Sequence, residues 1–154
     1  MSLAIGDTLP ALTVAATGGS SLDLASLKGA PVVLYFYPKD ATPGCTTEAQ
    51  QFRDLMPEFE ALNCRIFGIS RDTMSAHDRF KANECLPFDL LSDGDEVLSN
   101  AFAVIQLKNM YGKQVLGVER STFLFDTNGV LVKEWRKVKA PGHAADVLAA
   151  VRGL

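Results

Sequence analysis

Hydrophobic positions along the chain fall into two rhythms. Val32-Val33-Leu34-Tyr35-Phe36 is an unbroken β-branched and aromatic run, the pattern of a central strand buried on both faces, and Pro38 ends it. Arg65-Ile66-Phe67-Gly68-Ile69-Ser70 predicts a second buried strand. Between them Phe52, Leu55, Met56, Phe59 and Leu62 recur at helical spacing, so an amphipathic helix is expected. Pro57 lies inside it and removes one backbone donor, which predicts a kink. Residues 75–83 predict another helix, with Asp72 or Thr73 as cap. Leu90-Leu91 reads as a short strand before the turn Ser92-Asp93-Gly94-Asp95, and residues 96–102 as a brief helix. Residues 10–24 read as two short strands around Thr17-Gly18-Gly19-Ser20, followed by a helical turn or loop at 26–29. Ser121-Thr122-Phe123-Leu124-Phe125 and Val130-Leu131-Val132 flank Asp126-Thr127-Asn128-Gly129, a strong hairpin signal. A closing helix starts at about His143, with Val147, Leu148, Val151 and Leu154 on one face.

Strands alternating with helices, followed by a hairpin and a last helix, predict an α/β fold. The expectation is one domain over residues 1–154, with a mixed central sheet covered by helices on both faces and an N-terminal β-hairpin. In such sheets reactive groups gather at the carboxyl ends of the central strands. The segment Asp40-Ala41-Thr42-Pro43-Gly44 is a loop at such a place, and a helix follows it.

Composition narrows the function classes. Charged residues make up 21% of the chain and the formal net charge is -3, which gives no electrostatic reason to seek nucleic acid or an anionic membrane. Lys133, Arg136, Lys137 and Lys139 form a small basic group that reads as a solvated edge. The longest apolar run, residues 31–38, is far short of the ~20 residues of a membrane span. Residues 1–7 show no basic and apolar leader pattern, so a cytoplasmic location is expected. Three cysteines, Cys45, Cys64 and Cys85, are too few and odd in number for a disulfide framework. The question becomes which of them is chemically active.

Cys64 opens an apolar strand and reads as core filler. Cys45 falls where a polar, Pro/Gly-bearing loop becomes a helix. There, unpaired backbone N–H groups and the positive end of the helix dipole favour the anionic sulfur, which is the nucleophile. A dithiol oxidoreductase would need a second cysteine three positions on, where Glu48 stands. A cysteine hydrolase would need a histidine base, and the only histidines, His77 and His143, fall in polar helical segments that read as surface. Paired zinc-ligand spacings and phosphate-binding glycine loops are absent from the sequence. A binding module on the same fold is the non-enzyme alternative, and it would leave added hydroperoxide unconsumed.

Pro38-Lys39-Asp40-Ala41-Thr42-Pro43-Gly44-Cys45 resembles the peroxiredoxin signature of a proline, a threonine and the peroxidatic cysteine. Tyr35-Phe36-Tyr37-Pro38-Lys39-Asp40, Thr46-Thr47-Glu48, Lys108-Asn109-Met110-Tyr111-Gly112 and Glu119-Arg120-Ser121-Thr122-Phe123 resemble the bacterioferritin comigratory protein, or peroxiredoxin Q, branch. The resemblance covers nearly the whole chain. It implies a thioredoxin-like fold and a two-electron reduction of hydrogen peroxide or organic hydroperoxides, without metal, haem or flavin. It further implies that Cys45 attacks the peroxide and becomes a sulfenic acid. By the same resemblance Thr42 hydrogen-bonds the peroxide and the thiolate, Arg120 stabilises the thiolate, and Pro38 shapes the pocket and excludes water. Glu48 would orient Arg120, although a first-turn glutamate is also expected from the helix dipole alone.

The recycling step stays open. Much of this branch carries a second cysteine five residues beyond the first, and here that position is Gln50. Other members use a cysteine on the next helix, which makes Cys85 the candidate partner. Bridging needs Cα atoms within about 7 Å and therefore local unfolding. The alternative is a one-cysteine enzyme in which an external thiol attacks the sulfenic acid. The implied reductant is thioredoxin or a glutaredoxin-like donor, and the implied state is a monomer.

Overall fold

Buried at all five positions, Val32–Phe36 forms β3, an interior strand of a seven-stranded sheet. The computed structural model describes residues 3–154, so the leader reading, which includes residues 1 and 2, falls partly outside them. In chain order the elements before β3 are β1 (Thr13–Ala16), β2 (Ser20–Asp23) and a 3₁₀ turn (Leu24–Leu27). After it come α1 (Pro43–Asp54), α2 (Met56–Ala61), β4 (Arg65–Ser70), α3 (Met74–Asn83), β5 (Leu90–Ser92) and α4 (Val97–Ala101). The chain then forms β6 (Ile105–Met110), β7 (Lys113–Val118), β8 (Ser121–Phe125), β9 (Leu131–Trp135) and α5 (His143–Arg152).

The sheet runs β2-β1-β5-β4-β3-β8-β9. β3, β4 and β5 are parallel, and β8 lies antiparallel on the other side of β3. Strands buried on both faces carry nearly continuous apolar runs because each face must meet a hydrophobic layer. One layer joins Val33, Tyr35, Phe52, Phe59 and Val147, from β3, α1, α2 and α5. The other joins Leu34, Phe36, Leu27, Leu98 and Phe102 on the opposite face. This is the thioredoxin-like α/β arrangement with an N-terminal hairpin that the sequence predicts.

Four local features differ from expectation. The helix at Pro57 is broken rather than kinked: α1 ends at Asp54 and α2 restarts at Met56, which places the proline in a first turn, where its missing N–H is harmless. α1 begins at Pro43, so the loop before Cys45 is shorter than the sequence suggests. β6 and β7 pair only with each other, and they escape the sequence reading because Leu107, Val115 and Leu116 are exposed and mark no buried face. The two histidines are buried, not solvated. His77 reaches Asp40 across the fold, and His143 meets Thr122 Oγ1 at 2.8 Å beside Trp135 and Phe52. Both partners lie far away in sequence, where periodicity carries no signal. Burial then pushes His143 down to about 4, so its ring is neutral at pH 7.

The basic group near the end of the chain is also not a uniform solvated edge. Arg136 donates to the carbonyls of Phe102 and Ala103 and lies over the Phe123 ring. Among the described residues no helix is long and apolar enough to cross a membrane.

Candidate active site

The loop leaving β3 is fastened before it reaches the sulfur. Tyr37 donates its hydroxyl to Asp40 Oδ1 at 2.6 Å, and the Asp40 N–H donates to Asp72 Oδ2 at 2.9 Å. His77 bridges Asp40 Oδ2 and the Leu91 carbonyl through its two ring nitrogens, at 2.6 and 2.9 Å. Asp40, Asp72 and His77 bring ligand-type atoms within 4.8 Å of one another, but those atoms are engaged in this hydrogen-bonded cluster. Ala41 follows in the left-handed region, at φ 62°, and turns the chain into α1.

Thr42 is the N-cap of α1 and makes no side-chain capping bond. Its hydroxyl donates to the Lys39 carbonyl at 2.7 Å. With the proton committed there, the oxygen is left as an acceptor, so the expected donation from Thr42 to the thiolate is not made. Pro43, Gly44 and Cys45 form the first turn, and the first intrahelical bond is Thr46 N–H to the Thr42 carbonyl at 2.9 Å. Cys45 therefore lies among the backbone donors that a helix leaves unpaired.

Arg120 meets Cys45 because β8 lies beside β3. Phe36 pairs with Ser121, so the residue before Ser121 is carried to the end of β3. The Val138 N–H donates to the Arg120 carbonyl at 3.0 Å and fixes its backbone. Arg120 stands in the short connection between β7 and β8. Its guanidinium spans two groups of α1, with Nη2 donating to Cys45 Sγ at 3.3 Å and Nη1 to Glu48 Oε1 at 2.6 Å. Cys45 and Glu48 are three residues apart and share one helix face. A Cβ on Gly44 would lie 3.1 Å from Arg120 Nη2, so glycine there leaves room for the guanidinium.

The electrostatics follow from burial and this fork. Glu48 is fully buried and its Oε2 has no protein partner. Burial raises its carboxyl from 4.5 to about 7, against the pull of Arg120. Burial alone would weaken the charge on Arg120, but Glu48 and Cys45 outweigh it and hold the guanidinium above its ordinary value. The guanidinium thus lies directly against the sulfur. Pro38, half-buried, Leu107, Lys108, Asn109, Glu119, Lys137 and Val138 join Arg120 around a cavity of about 540 Å³. The sequence reading missed Leu107, Lys108 and Lys137 as lining residues, since only the β6–β7 arm and the turn at Lys137 bring them there.

The other thiols differ. Cys64 is as buried as Cys45, donates weakly to the Arg65 carbonyl and is pushed up to about 12 by burial. Cys85 is exposed, just past the end of α3. All three are free. Neither histidine is hydrogen-bonded to Cys45, which removes the hydrolase reading.

A sulfur at a helix amino end, held by a guanidinium and without a histidine base, suits an electrophile that carries its own leaving group. On a thioredoxin-like sheet these features fit a cysteine-dependent peroxidase. The AhpC/TSA family model matches residues 5–134, and the chain belongs to that family, the peroxiredoxins. It is similar to Peroxiredoxin Bcp of Xanthomonas campestris pv. campestris, 53% identical over 148 residues that cover 94% of this chain and 92% of the relative. Peroxiredoxin Bcp of Bacillus subtilis is 46% identical over 154 residues, covering 100% and 98%. Among solved structures, the Xanthomonas campestris bacterioferritin comigratory protein, described for its alkyl peroxide reduction activity, superposes with a TM-score of 0.90 at 51% identity, covering 96% of this chain and 98% of that one. The chain is a thiol-dependent peroxidase, an oxidoreductase that takes a peroxide substrate and a thiol reductant.

Proposed function

We propose that Cys45 is the peroxidatic nucleophile, that Thr42, Arg120 and Pro38 form its peroxide pocket, and that Cys85 resolves the product. The observation that carries this reading is the fork of Arg120, which joins Cys45 Sγ to the buried Glu48. Peroxide enters the cavity bounded by Pro38 and Arg120. Thr42 Oγ1 accepts a hydrogen bond from the peroxide O–H, and Arg120 donates to its oxygens as charge develops. The Cys45 thiolate supplies an electron pair to the terminal oxygen. An S–O bond forms, the O–O bond breaks, and the departing alkoxide or hydroxide takes a proton to leave as alcohol or water. Glu48 keeps the fork aimed.

Resolution by Cys85 consumes the sulfenic acid. The Cys85 thiolate attacks the Cys45 sulfur, water leaves after protonation, and a disulfide forms. An external dithiol, thioredoxin or a glutaredoxin-like protein, then accepts the oxidation and restores both thiols. Support for Cys85 lies in its exposure and its place at a helix end. Three free thiols support a reducing compartment such as the cytoplasm, and a monomer is the working state of this reading.

The test is the intact mass of reduced protein after one equivalent of hydrogen peroxide, with Cys45→Ser alongside. Loss of two hydrogens, absent in the variant and mapped to Cys45 and Cys85, is the expected result. Gain of one oxygen without that loss leaves an external thiol as the resolver. Unchanged mass with peroxide intact overturns the reading.

A further inference from the structure

The end of α3 closes on a residue in the left-handed region, and its C-cap is tied to α1. α3 closes with the Leu86 N–H on the Lys81 carbonyl at 3.0 Å and the Cys85 N–H on the Ala82 carbonyl at 3.3 Å. This pair of bonds is the Schellman closure, whose C′ residue takes the left-handed conformation and is most often glycine. Here that residue is Cys85, at φ 53°, where a side chain is strained. Immediately before it stands Glu84, the C-cap, tied to α1 twice. Gln50 Nε2 donates to Glu84 Oε1 at 2.7 Å, and Arg53 Nη1 donates to the Glu84 carbonyl at 2.9 Å. The second bond places a cation on the negative end of α3.

These ties keep Cys85 away from its target. Gln50 and Arg53 lie five and eight residues beyond Cys45, about 7.5 and 12 Å along the helix axis at ~1.5 Å per residue. They also point elsewhere: at ~100° per residue they lie about 140° and 80° around the axis from Cys45. The end of α3 is thus tied to α1 five and eight residues beyond Cys45, through side chains that leave the helix in other directions.

We infer that Gln50 and Arg53 are positioning residues for the resolving step: they clasp Glu84 and so set how fast Cys85 reaches the Cys45 sulfenic acid. The inference rests on the reading of Cys85 as the resolving thiol. The step itself forms one S–S bond, breaks the S–O bond of the sulfenic acid and releases water, with no further oxidant. While the clasp stays shut, a second peroxide can instead oxidise the sulfenic acid to sulfinic acid. The clasp therefore sets the ratio of disulfide to overoxidised product, and opening it relieves the strained Cys85 backbone.

The test uses the full chain with Gln50→Ala, Arg53→Ala and the double substitution. Reduced protein is mixed with one equivalent of hydrogen peroxide, quenched with an alkylating agent and weighed over time. The rate of sulfenic acid formation should stay within about twofold of the unsubstituted chain, because neither residue touches the peroxide pocket. Disulfide formation should accelerate about threefold to tenfold in each single variant and more in the double, as loss of ordinary hydrogen bonds predicts. Sulfinic acid at excess peroxide should fall by the same factor, and Arg53→Lys should restore part of the delay. Glu84→Ala, which keeps the backbone acceptor for Arg53, provides a milder release if the double variant folds poorly. Disulfide formation at an unchanged or lower rate, with the peroxide step unaltered, would overturn the clasp alone. Failure of the unsubstituted chain to lose two hydrogens would overturn the Cys85 reading and the clasp with it.

Discussion

Cys45 and Cys64 are each 2% exposed, yet they occupy opposite chemical worlds. Both border the same apolar layer, but Cys64 precedes β4 at its amino end and its sulfur sees only the Arg65 carbonyl. Nothing offsets the cost of charging it there, and its thiol rises to about 12. Cys45 lies past the carboxyl end of β3, in the first turn of α1, with a guanidinium at 3.3 Å. Burial alone does not decide whether a cysteine reacts; what decides is whether the buried sulfur is given donors and a cation.

Substitutions can break or sharpen this contrast. The largest effect is expected from Cys45→Ser, where peroxide loss should fall to the rate of buffer alone in a ferrous-oxidation peroxide assay. Arg120→Met removes the cation and should lower the second-order rate with hydrogen peroxide by about 10²–10³-fold, read by stopped-flow fluorescence. That change gives Cys45 an environment closer to that of Cys64. Glu48→Gln tests the far end of the fork through pH. The carboxyl titrates at about 7 in the folded chain and near 4.5 when unfolded, so the folded state holds the proton more tightly. The stability it contributes is full below about 4.5 and is lost as pH rises through about 7. Urea unfolding midpoints of the unsubstituted chain should show that decline, and those of Glu48→Gln should lack it. The smallest effect on rate should come from Cys64→Ala, within about twofold, with a stability loss of roughly 1–2 kcal/mol from the vacated volume, read by urea unfolding.

The legible part of the fold was the part written in local rhythm. β3, β4, the β8–β9 hairpin and α5 carry runs or periodicities that only one kind of element satisfies. Cys45 stood out by its position between loop and helix, while Arg120 and Thr42 were reached through a family resemblance and not through spacing. What stayed hidden depends on distant residues meeting. His77 looked like a surface residue because its partner Asp40 is 37 positions away. The Glu84 contacts span 34 and 31 positions, and neither end has an unusual local sequence. The β6–β7 arm hid for the opposite reason: its exposed apolar residues Leu107, Val115 and Leu116 mark no buried alternation.

The pairing of Phe36 with Ser121 has a consequence for how the chain comes into being. Cys45 and Arg120 are separated by 75 positions and meet only when β8 has docked beside β3. At the ~5–20 residues per second of synthesis, several seconds pass between translation of the cysteine and arrival of its arginine. During that interval, and in any unfolded copy, the sulfur lacks its guanidinium partner. On the proposed role of Cys45, peroxide reactivity is acquired late, with the native topology, and the rate at which Cys45 oxidises would serve as a clock for the completion of folding.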